Sequence, residues 1–392
     1  MLIAQDPDKK NGLIAGWRYR LLELKMLREI ARMAFRAYPQ PRLAWLALRR
    51  HIAVHLGYQR ACHLTKAVRV GKHILLQMTF PRLGTEAMQV LVRNELHRQV
   101  PIPGQQPGLN VLVLAITKKC SLQCAHCVEW ENLNGREQLS ADDVVTIIRK
   151  FQVNGVASIE LSGGEPLNRF DDLLRILHES DTRCTDFWLL TSGYRLTPQR
   201  AQALAAAGLV GLGLSLDHWE AAAHDRFRGL AGSFEWARQA TRNAHEAGLA
   251  VCLTLTAVRE FCTSDHLWAY ARLARDWGVA LIRILEPRAV GHFAGQEVEL
   301  RPGEISVLEH FVRTIQHDPA CRDYPPVEYY AAYQRQVGCS GAGQRFLYVD
   351  TDGDMHACPF CQNKCGSALC GSIESGIATM QRASGCHAYE NG

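Results

Sequence analysis

The sequence predicts an α/β protein built on a parallel sheet. From residue 111 onward, short apolar runs rich in β-branched residues alternate with stretches of helical periodicity. Six runs are predicted as strands and the five stretches between them as helices, at 111–116, 157–161, 187–191, 210–216, 250–256 and 280–285, and at 141–152, 171–179, 198–207, 233–247 and 265–277. Strands joined by crossover helices run parallel, and six in series fit either a partly closed barrel or an open doubly wound sheet.

Composition points to a globular protein with a large core. The chain has 392 residues, of which 47% are hydrophobic and 21% are charged. The first residues lack the apolar segment of a signal peptide, and no run of eighteen apolar residues occurs, so we expect a cytoplasmic protein. In that reducing compartment, fourteen cysteines indicate metal or redox chemistry more than disulfides.

The N-terminal region, residues 1–108, is predicted to be basic and mainly helical. Residues 1–105 hold 18 Lys and Arg against 6 Asp and Glu. Basic amphipathic helices are predicted at 13–37 and 43–56, followed by a hairpin at 68–80, a helix at 85–97 and a Pro/Gly linker at 101–108. We favour docking of these helices on the protein itself. The alternative is that they bind an anionic membrane surface, which would place the protein at the inner membrane face.

Three cysteines follow the first predicted strand of the sheet. Cys120, Cys124 and Cys127 are separated by three and then two residues. A loop with this spacing can hold three corners of an iron-sulfur cube and leave the fourth iron open to a ligand. A zinc site and plain burial of the thiols are the alternatives on spacing alone.

Polar groups also follow the later strands. Gly163-Gly164-Glu165-Pro166 follows the second strand and can bring backbone and a carboxylate close to a ligand, although Gly-Gly before Pro also marks ordinary turns. Further candidates after the third and fourth strands are Ser192, Ser215, Asp217 and Arg226. Such side chains can bind a ribose or an amino acid, or simply cap helices.

Together, the cysteine spacing and the Gly-Gly-Glu-Pro turn resemble the radical S-adenosylmethionine (radical SAM) enzymes over residues 110–290. The resemblance implies a partial (β/α)6 TIM-like barrel, with boundaries placed at 109–300. It implies that the three cysteines bind a 4Fe-4S cluster, whose open iron binds S-adenosylmethionine. The residues that would contact S-adenosylmethionine are Gly163, Gly164 and Glu165 for the ammonium, Ser192 and Ser215 for ribose or carboxylate, and Arg226 for the carboxylate. His126 stands where the family often has Phe or Tyr.

The last region, predicted as a domain over 301–392, is rich in cysteine. Cys339 and Cys358 flank a predicted hairpin with an Asp-Gly turn, which resembles the SPASM or twitch extensions of the same family. The resemblance implies one auxiliary 4Fe-4S cluster with the ligands Cys339, Cys358, Cys361 and Cys386. Cys365 and Cys370 are then spare, and the alternative is a zinc site made of Cys358, Cys361, Cys365 and Cys370.

The resemblance implies an enzyme that reductively cleaves S-adenosylmethionine to a 5'-deoxyadenosyl radical and abstracts hydrogen from an organic substrate. A one-electron donor such as flavodoxin or ferredoxin would be a partner. The substrate is expected to be a peptide under maturation, or a small molecule or lipid under oxidation. The alternative function is a non-enzymatic, cysteine-rich metal-binding protein that binds membrane or nucleic acid through its basic N-terminus, and the lack of interleaved aromatic residues in the strands disfavours nucleic acid.

Overall fold

The structure is a computed structural model, and it describes residues 11–339 and 341–382. The strands of this part of the chain are β1 (Asn11–Ala15), β2 (Lys66–Val70), β3 (His73–Leu75), β4 (Val111–Ala115), β5 (Ser158–Ser162), β6 (Asp186–Thr191), β7 (Leu209–Ser215), β8 (Ala250–Thr256), β9 (Leu281–Leu285), β10 (Val327–Glu328), β11 (Phe346–Val349) and β12 (Met355–His356). Its helices are α1 (Trp17–Ala37), α2 (Pro41–Cys62), α3 (Glu86–Gln99), α4 (Ala141–Val153), α5 (Phe170–Glu179), α6 (Pro198–Ala206), α7 (Ala221–Arg228), α8 (Ser233–Glu246), α9 (Ser264–Asp276), α10 (Pro302–His317), α11 (Ala331–Val337) and α12 (Ile373–Arg382).

A nine-stranded sheet forms the centre of the molecule. Its order is β10-β9-β8-β7-β6-β5-β4-β11-β12, and strands β4 to β9 run parallel. These are the six predicted strands, so the α/β fold class and the partial barrel are confirmed. Their residues that face the surrounding helices are apolar and buried, as in Leu112, Leu161 and Leu214 at 0% exposure, because parallel sheets are covered on both faces.

The C-terminal region contributes to both edges of this sheet. The predicted Asp-Gly hairpin forms, with Val349 opposite Met355 in β11 and β12. The sequence did not predict that β11 pairs in parallel with β4, or that β10 pairs in parallel with β9. The segments after residue 300 therefore extend the barrel sheet, while the predicted domain boundary at 300 stays a prediction.

The N-terminal region combines three helices with a small antiparallel sheet of order β1-β2-β3. The prediction of a helix from residue 13 was wrong at its start, because residues up to Ala15 pair with β2 and Gly16, at φ 60°, turns the chain into α1. The predicted hairpin forms around Gly71. None of the helices in the described ranges is long and apolar enough to cross a membrane.

The small sheet closes the amino-terminal end of the barrel. Val68, Leu75 and Met78 pack in one cluster with barrel residues near the strand starts, such as Trp188 and Val210. All of these side chains are nearly inaccessible. Since the amino-terminal end is filled, the carboxyl ends of the strands are left to carry functional groups, as in other barrels of this kind.

Candidate active site at the cysteine loop

The cysteine loop, residues 120–130, begins five residues after β4 ends. Cys124 is buried, whereas Cys120 and Cys127 are partly buried. Burial raises the pKa of the Cys120 thiol to about 11 and that of Cys127 to about 12. The thiols of Cys120 and Cys127 are therefore protonated in the free loop, and a metal that binds them must displace their protons.

The first support of the cysteine loop is the Gly-Gly-Glu-Pro turn after β5. Gly164 N–H donates to Thr117 O at 2.7 Å, and Glu165 N–H donates to Lys119 O at 2.8 Å. A Cβ atom on Gly164 would lie 2.5 Å from Lys119 O, and one on Gly163 would lie 2.5 Å from Thr117 O. Glycine is required here because the backbone of the turn packs directly on the chain that enters the cysteine loop.

Glu165 is committed to hydrogen bonds within the protein. Its buried carboxylate accepts bonds from Thr191 Oγ1 at 2.6 Å, Ser192 N at 2.9 Å and Leu167 N at 3.1 Å, and also from the Ser192 hydroxyl. Burial raises its pKa above the ordinary value, although these donors oppose the shift. Two predicted ligands of the cofactor, Glu165 and Ser192, therefore bind each other. Pro166, the next residue after Glu165, begins a short 3-10 turn.

The second support is the C-terminal end of α7, a helix that the sequence analysis missed. Gln123 N–H donates to Arg228 O at 3.1 Å, and Ala125 N–H donates to Phe227 O at 2.9 Å. The His126 ring stacks on Phe227 with centroids 5.1 Å apart, and burial lowers the His126 pKa to about 4. His126 is therefore neutral at physiological pH and packs as a flat ring beside the cysteines.

The buried ion pair of Arg228 and Asp217 contacts the cysteine loop. Arg228 Nη1 lies 3.5 Å from Cys124 Sγ, and Arg228 Nη2 lies 2.6 Å from Asp217 Oδ2. Burial alone would raise the pKa of Asp217, but Arg228, the neighbouring histidines and the Thr256 N–H together lower this pKa. Asp217 also accepts a bond from Thr256 N at 3.0 Å. This pair therefore places the Arg228 guanidinium beside a cysteine sulfur of the loop.

The structure buries Arg228 of this helix at the cysteine loop, whereas the predicted ligand Arg226 stays a prediction. Arg226 is exposed, whereas Arg228, two residues later, is buried against Cys124. The predicted side chain lies on the outer face because two residues span about 200° of helix. Ser215 ends β7 and is partly buried, so it remains at a strand tip as predicted.

The third support comes from the segment after β9. His292 N–H donates to Cys127 O at 2.9 Å, and His292 Nδ1 lies 2.9 Å from Cys124 O. Its ring stacks on Trp130 with centroids 3.6 Å apart. Gly291 has φ 56°, and a Cβ there would lie 2.2 Å from Cys127 O. Sequence reasoning missed this support, because a single glycine next to a histidine carries no motif.

The C-terminal cysteines differ in their exposure. Cys358 is buried, with its Sγ 3.4 Å from Cys361 Sγ, while Cys339 and Cys365 are partly buried and Cys370 is exposed. Cys386 lies outside the described residues. Within 11–339 and 341–382, no three His, Cys, Asp or Glu side chains converge as ligands of a single metal ion.

A cavity of about 350 Å³ lies between the barrel and the helices α1, α2 and α11. It extends from Leu190 and Leu285, near the carboxyl ends of β6 and β9, to Cys339 and Cys358. Charged side chains in its wall are paired with each other, as in Arg283 Nη2 with Glu160 Oε1 at 2.9 Å. Because these charges are compensated, the cavity suits a mainly apolar group.

Comparison with known proteins identifies the central part of the chain. Residues 114–273 match the model of the radical SAM superfamily. The AdoMet-dependent heme synthase of Nitratidesulfovibrio vulgaris is 29% identical over 39% of this chain and 42% of its own length. The mycofactocin maturase MftC of Mycolicibacterium smegmatis is 28% identical over 64% of both chains.

The fold is also shared with a solved structure. SuiB of Streptococcus suis, bound to its precursor peptide SuiA, has a TM-score of 0.58 at 15% identity, over 73% of this chain and 68% of its own. The two curated relatives above are matched over less than two thirds of their own lengths. Residues 114–273, which contain the cysteine loop and its first two supports, therefore form a domain that matches the radical SAM superfamily.

Proposed function

We propose that this protein reductively cleaves S-adenosylmethionine at the cysteine loop and abstracts a hydrogen atom from an organic substrate. The observation that carries the proposal is the support of residues 117–130 by three separate segments, the Gly-Gly-Glu-Pro turn, the end of α7 and the Gly291–His292 turn. Such preorganisation is expected of a loop that must hold three ligands in fixed positions. The superfamily implies a 4Fe-4S cluster and S-adenosylmethionine as cofactors.

The residues of the loop fit the proposed cluster. Cys120, Cys124 and Cys127 would be its ligands, and Arg228 would offset part of their negative charge at 3.5 Å from Cys124 Sγ. When bound, the cluster and S-adenosylmethionine would supply a 5'-deoxyadenosyl radical by one-electron reduction of the sulfonium. The protein's part is to orient these groups and exclude water, for which the packing of His126 on Phe227 and of Trp130 on His292 is suited.

The roles within the predicted cofactor site are revised in this proposal. The carboxylate of Glu165 holds the tips of β5 and β6 together, so we assign the ammonium of S-adenosylmethionine to backbone groups of the turn around Gly163 and Gly164. Ser215, at the end of β7, keeps its proposed contact with the ribose or carboxylate. Asp217 is assigned to Arg228 rather than to the cofactor, and Arg226 stays a predicted ligand.

The substrate would bind in the 350 Å³ cavity beside the barrel. Its compensated charges and aromatic wall, which includes Tyr58, Phe80 and Tyr330, suit an apolar small molecule or an apolar side chain. Peptide maturation is the second candidate, because the relative MftC is a maturase and SuiB was solved with a precursor peptide. An auxiliary 4Fe-4S cluster at Cys339, Cys358, Cys361 and Cys386 is part of the same proposal, as is a flavodoxin or ferredoxin donor.

Release of 5'-deoxyadenosine tests the reaction. The full chain, reconstituted anaerobically with iron and sulfide, should form 5'-deoxyadenosine from S-adenosylmethionine in the presence of dithionite. Replacement of Cys120, Cys124 and Cys127 by alanine should abolish this, whereas the control Cys184→Ser, a partly exposed cysteine outside the loop, should not. Undiminished release from the triple variant would reject the proposal.

A further inference from the structure

Helices α1 and α2 carry most of the exposed large apolar side chains of the described residues. Ten such side chains are exposed, and seven of them lie between residues 17 and 56, namely Trp17, Leu21, Leu24, Phe35, Leu43, Trp45 and Leu56. Trp17 is 69% exposed, and Leu24 and Trp45 are each 62% exposed. Single exposed leucines are ordinary, but a concentration on two adjacent helices marks an interaction surface.

The exposed apolar side chains of α1 share one face of the helix, on which Arg28 lies between Leu24 and Phe35. At 3.6 residues per turn, positions 17, 21, 24 and 35 fall within about 60° of one another around the helix axis. Phe35 contacts Trp45 of α2 with ring centroids 5.5 Å apart, so this face continues onto the second helix. We call this surface, Trp17, Leu21, Leu24, Phe35 and Trp45, the outer stripe.

The outer stripe is distinct from the face that docks α1 on the protein. The buried residues of α1 are Tyr19, Ile30 and Ala34, which lie on the opposite side of the helix. Docking on the body therefore occurs, as predicted, and it leaves the outer stripe uncovered in the described residues.

Basic residues surround the outer stripe. Residues 17–56 contain nine Lys and Arg against two Glu, a net charge of +7 in a chain whose total is +5. All nine basic residues are exposed, namely Arg18, Arg20, Lys25, Arg28, Arg32, Arg36, Arg42, Arg49 and Arg50. Of these nine, in the described part of the chain, only Arg32 has an ion pair with a carboxylate, that of Glu29.

We propose that the outer stripe and its basic border dock the protein on the surface of an anionic lipid bilayer. Helices that combine Trp, Leu and Phe with Lys and Arg lie in the membrane interface, with apolar side chains among the acyl chains and the charges at the headgroups. Tryptophan is enriched at that depth. The proposal concerns this surface alone and does not depend on the proposed reaction.

Two other partners fit the surface less well. A second copy of the chain would bring two strongly positive surfaces together in a two-fold interface, where they repel. A nucleic acid would satisfy the arginines but would leave Leu21 and Leu24 in water, because phosphates and base edges offer no continuous apolar layer. An anionic bilayer accommodates both the charge and the apolar stripe.

Vesicle co-sedimentation of the full chain tests the proposal. We expect binding to vesicles of phosphatidylcholine and phosphatidylglycerol, little binding to vesicles of phosphatidylcholine alone, and weaker binding at high salt. The variant Leu21→Ser/Leu24→Ser/Trp45→Ser should bind the anionic vesicles about tenfold more weakly. The charge variant Arg18→Gln/Arg28→Gln/Arg36→Gln should lose affinity to a similar extent.

The control is Val153→Ser, which removes a side chain that is 88% exposed on α4, away from the outer stripe. It should bind anionic vesicles as the unchanged protein does. Equal binding by the control and both triple variants would overturn the proposal, as would equal affinity for vesicles with and without phosphatidylglycerol. Tighter binding to an RNA duplex than to anionic vesicles, or a dimer in sedimentation that the triple apolar variant dissolves, would also overturn it.

Discussion

The two cysteine-rich regions of this protein are held in different ways. The cysteine loop is fixed by backbone hydrogen bonds from three segments that are far apart in the sequence, and by glycines at which a Cβ would collide with the loop. The region of Cys358, Cys361, Cys365 and Cys370 instead follows a short hairpin, and its thiols range from buried to exposed. The cysteine loop is preorganised before any metal binds. We expect the second region, in contrast, to become ordered only when it binds metal.

The largest effect is expected from Gly291→Ala in the third support. The new Cβ would lie 2.2 Å from Cys127 O, at a residue with φ 56°. Strain and overpacking together should cost about 5 kcal/mol of unfolding free energy and most of the bound iron. The control Gly295→Ala also has positive φ, at 76°, but no atom within 4 Å, so it should cost only about 1 kcal/mol. Equal losses for the two variants, by urea unfolding and iron assay, would contradict the role of the third support.

The next effect concerns the buried ion pair. Arg228→Met should lower the unfolding free energy by about 4 kcal/mol, because Asp217 would be left buried without its cation. The matched control is Arg226→Met, two residues earlier on the same helix, whose side chain is exposed and should matter little. The measurement is the urea midpoint of unfolding for the two variants in parallel. Similar midpoints would mean that Arg228 does not support the loop.

A smaller effect is expected where the C-terminal region is anchored to the N-terminal helices. Glu95 of α3 accepts bonds from Arg345, just before β11, with Arg345 Nε at 3.0 Å. Burial would raise the Glu95 pKa, but the Arg345 and Arg98 charges lower it from 4.5 to about 2. The ionised Glu95 carboxylate, with all its partners, therefore adds about 3 kcal/mol of stability above pH 4.5, and this is lost as the pH falls toward 2.

Glu95→Gln should remove this pH dependence, and Glu86→Gln, an exposed carboxylate on the same helix, should keep it. The measurement is the free energy of unfolding between pH 2 and pH 7. An unchanged slope in the Glu95→Gln protein would show that this contact does not anchor β11.

The smallest effect on the barrel is expected from changes in the second cysteine region. Cys358→Ala/Cys361→Ala should lower iron from about eight to about four per chain, since one of two cubes is lost. Cys370→Ala, at the exposed cysteine, should leave the iron content unchanged. About four irons in the unchanged protein would instead reject the auxiliary cluster.

Much of the fold could be predicted from the sequence, because six apolar strand patterns repeat with helices between them. The position of Cys120, Cys124 and Cys127 after the first strand could also be predicted from the sequence. The packing of distant segments against one another could not. Nothing local distinguishes Arg228 from Arg226 until α7 is placed on the loop, and the pairing of β11 with β4 joins residues more than two hundred positions apart.

Glu165 shows a second limit of sequence reasoning. The motif indicates a carboxylate near a ligand, but its four hydrogen bonds to residues of the turn and of β6 become visible only in three dimensions. Residues outside any motif, such as His292, also contact the backbone of the cysteine loop.

The most direct test of the preorganised loop is electron paramagnetic resonance of the dithionite-reduced Cys358→Ala/Cys361→Ala protein, with and without S-adenosylmethionine. If the three supports hold the cysteine loop independently of the C-terminal region, the variant will keep a reduced 4Fe-4S signal and this signal will change when S-adenosylmethionine is added. Loss of the signal, or a signal that S-adenosylmethionine leaves unchanged, would contradict the account.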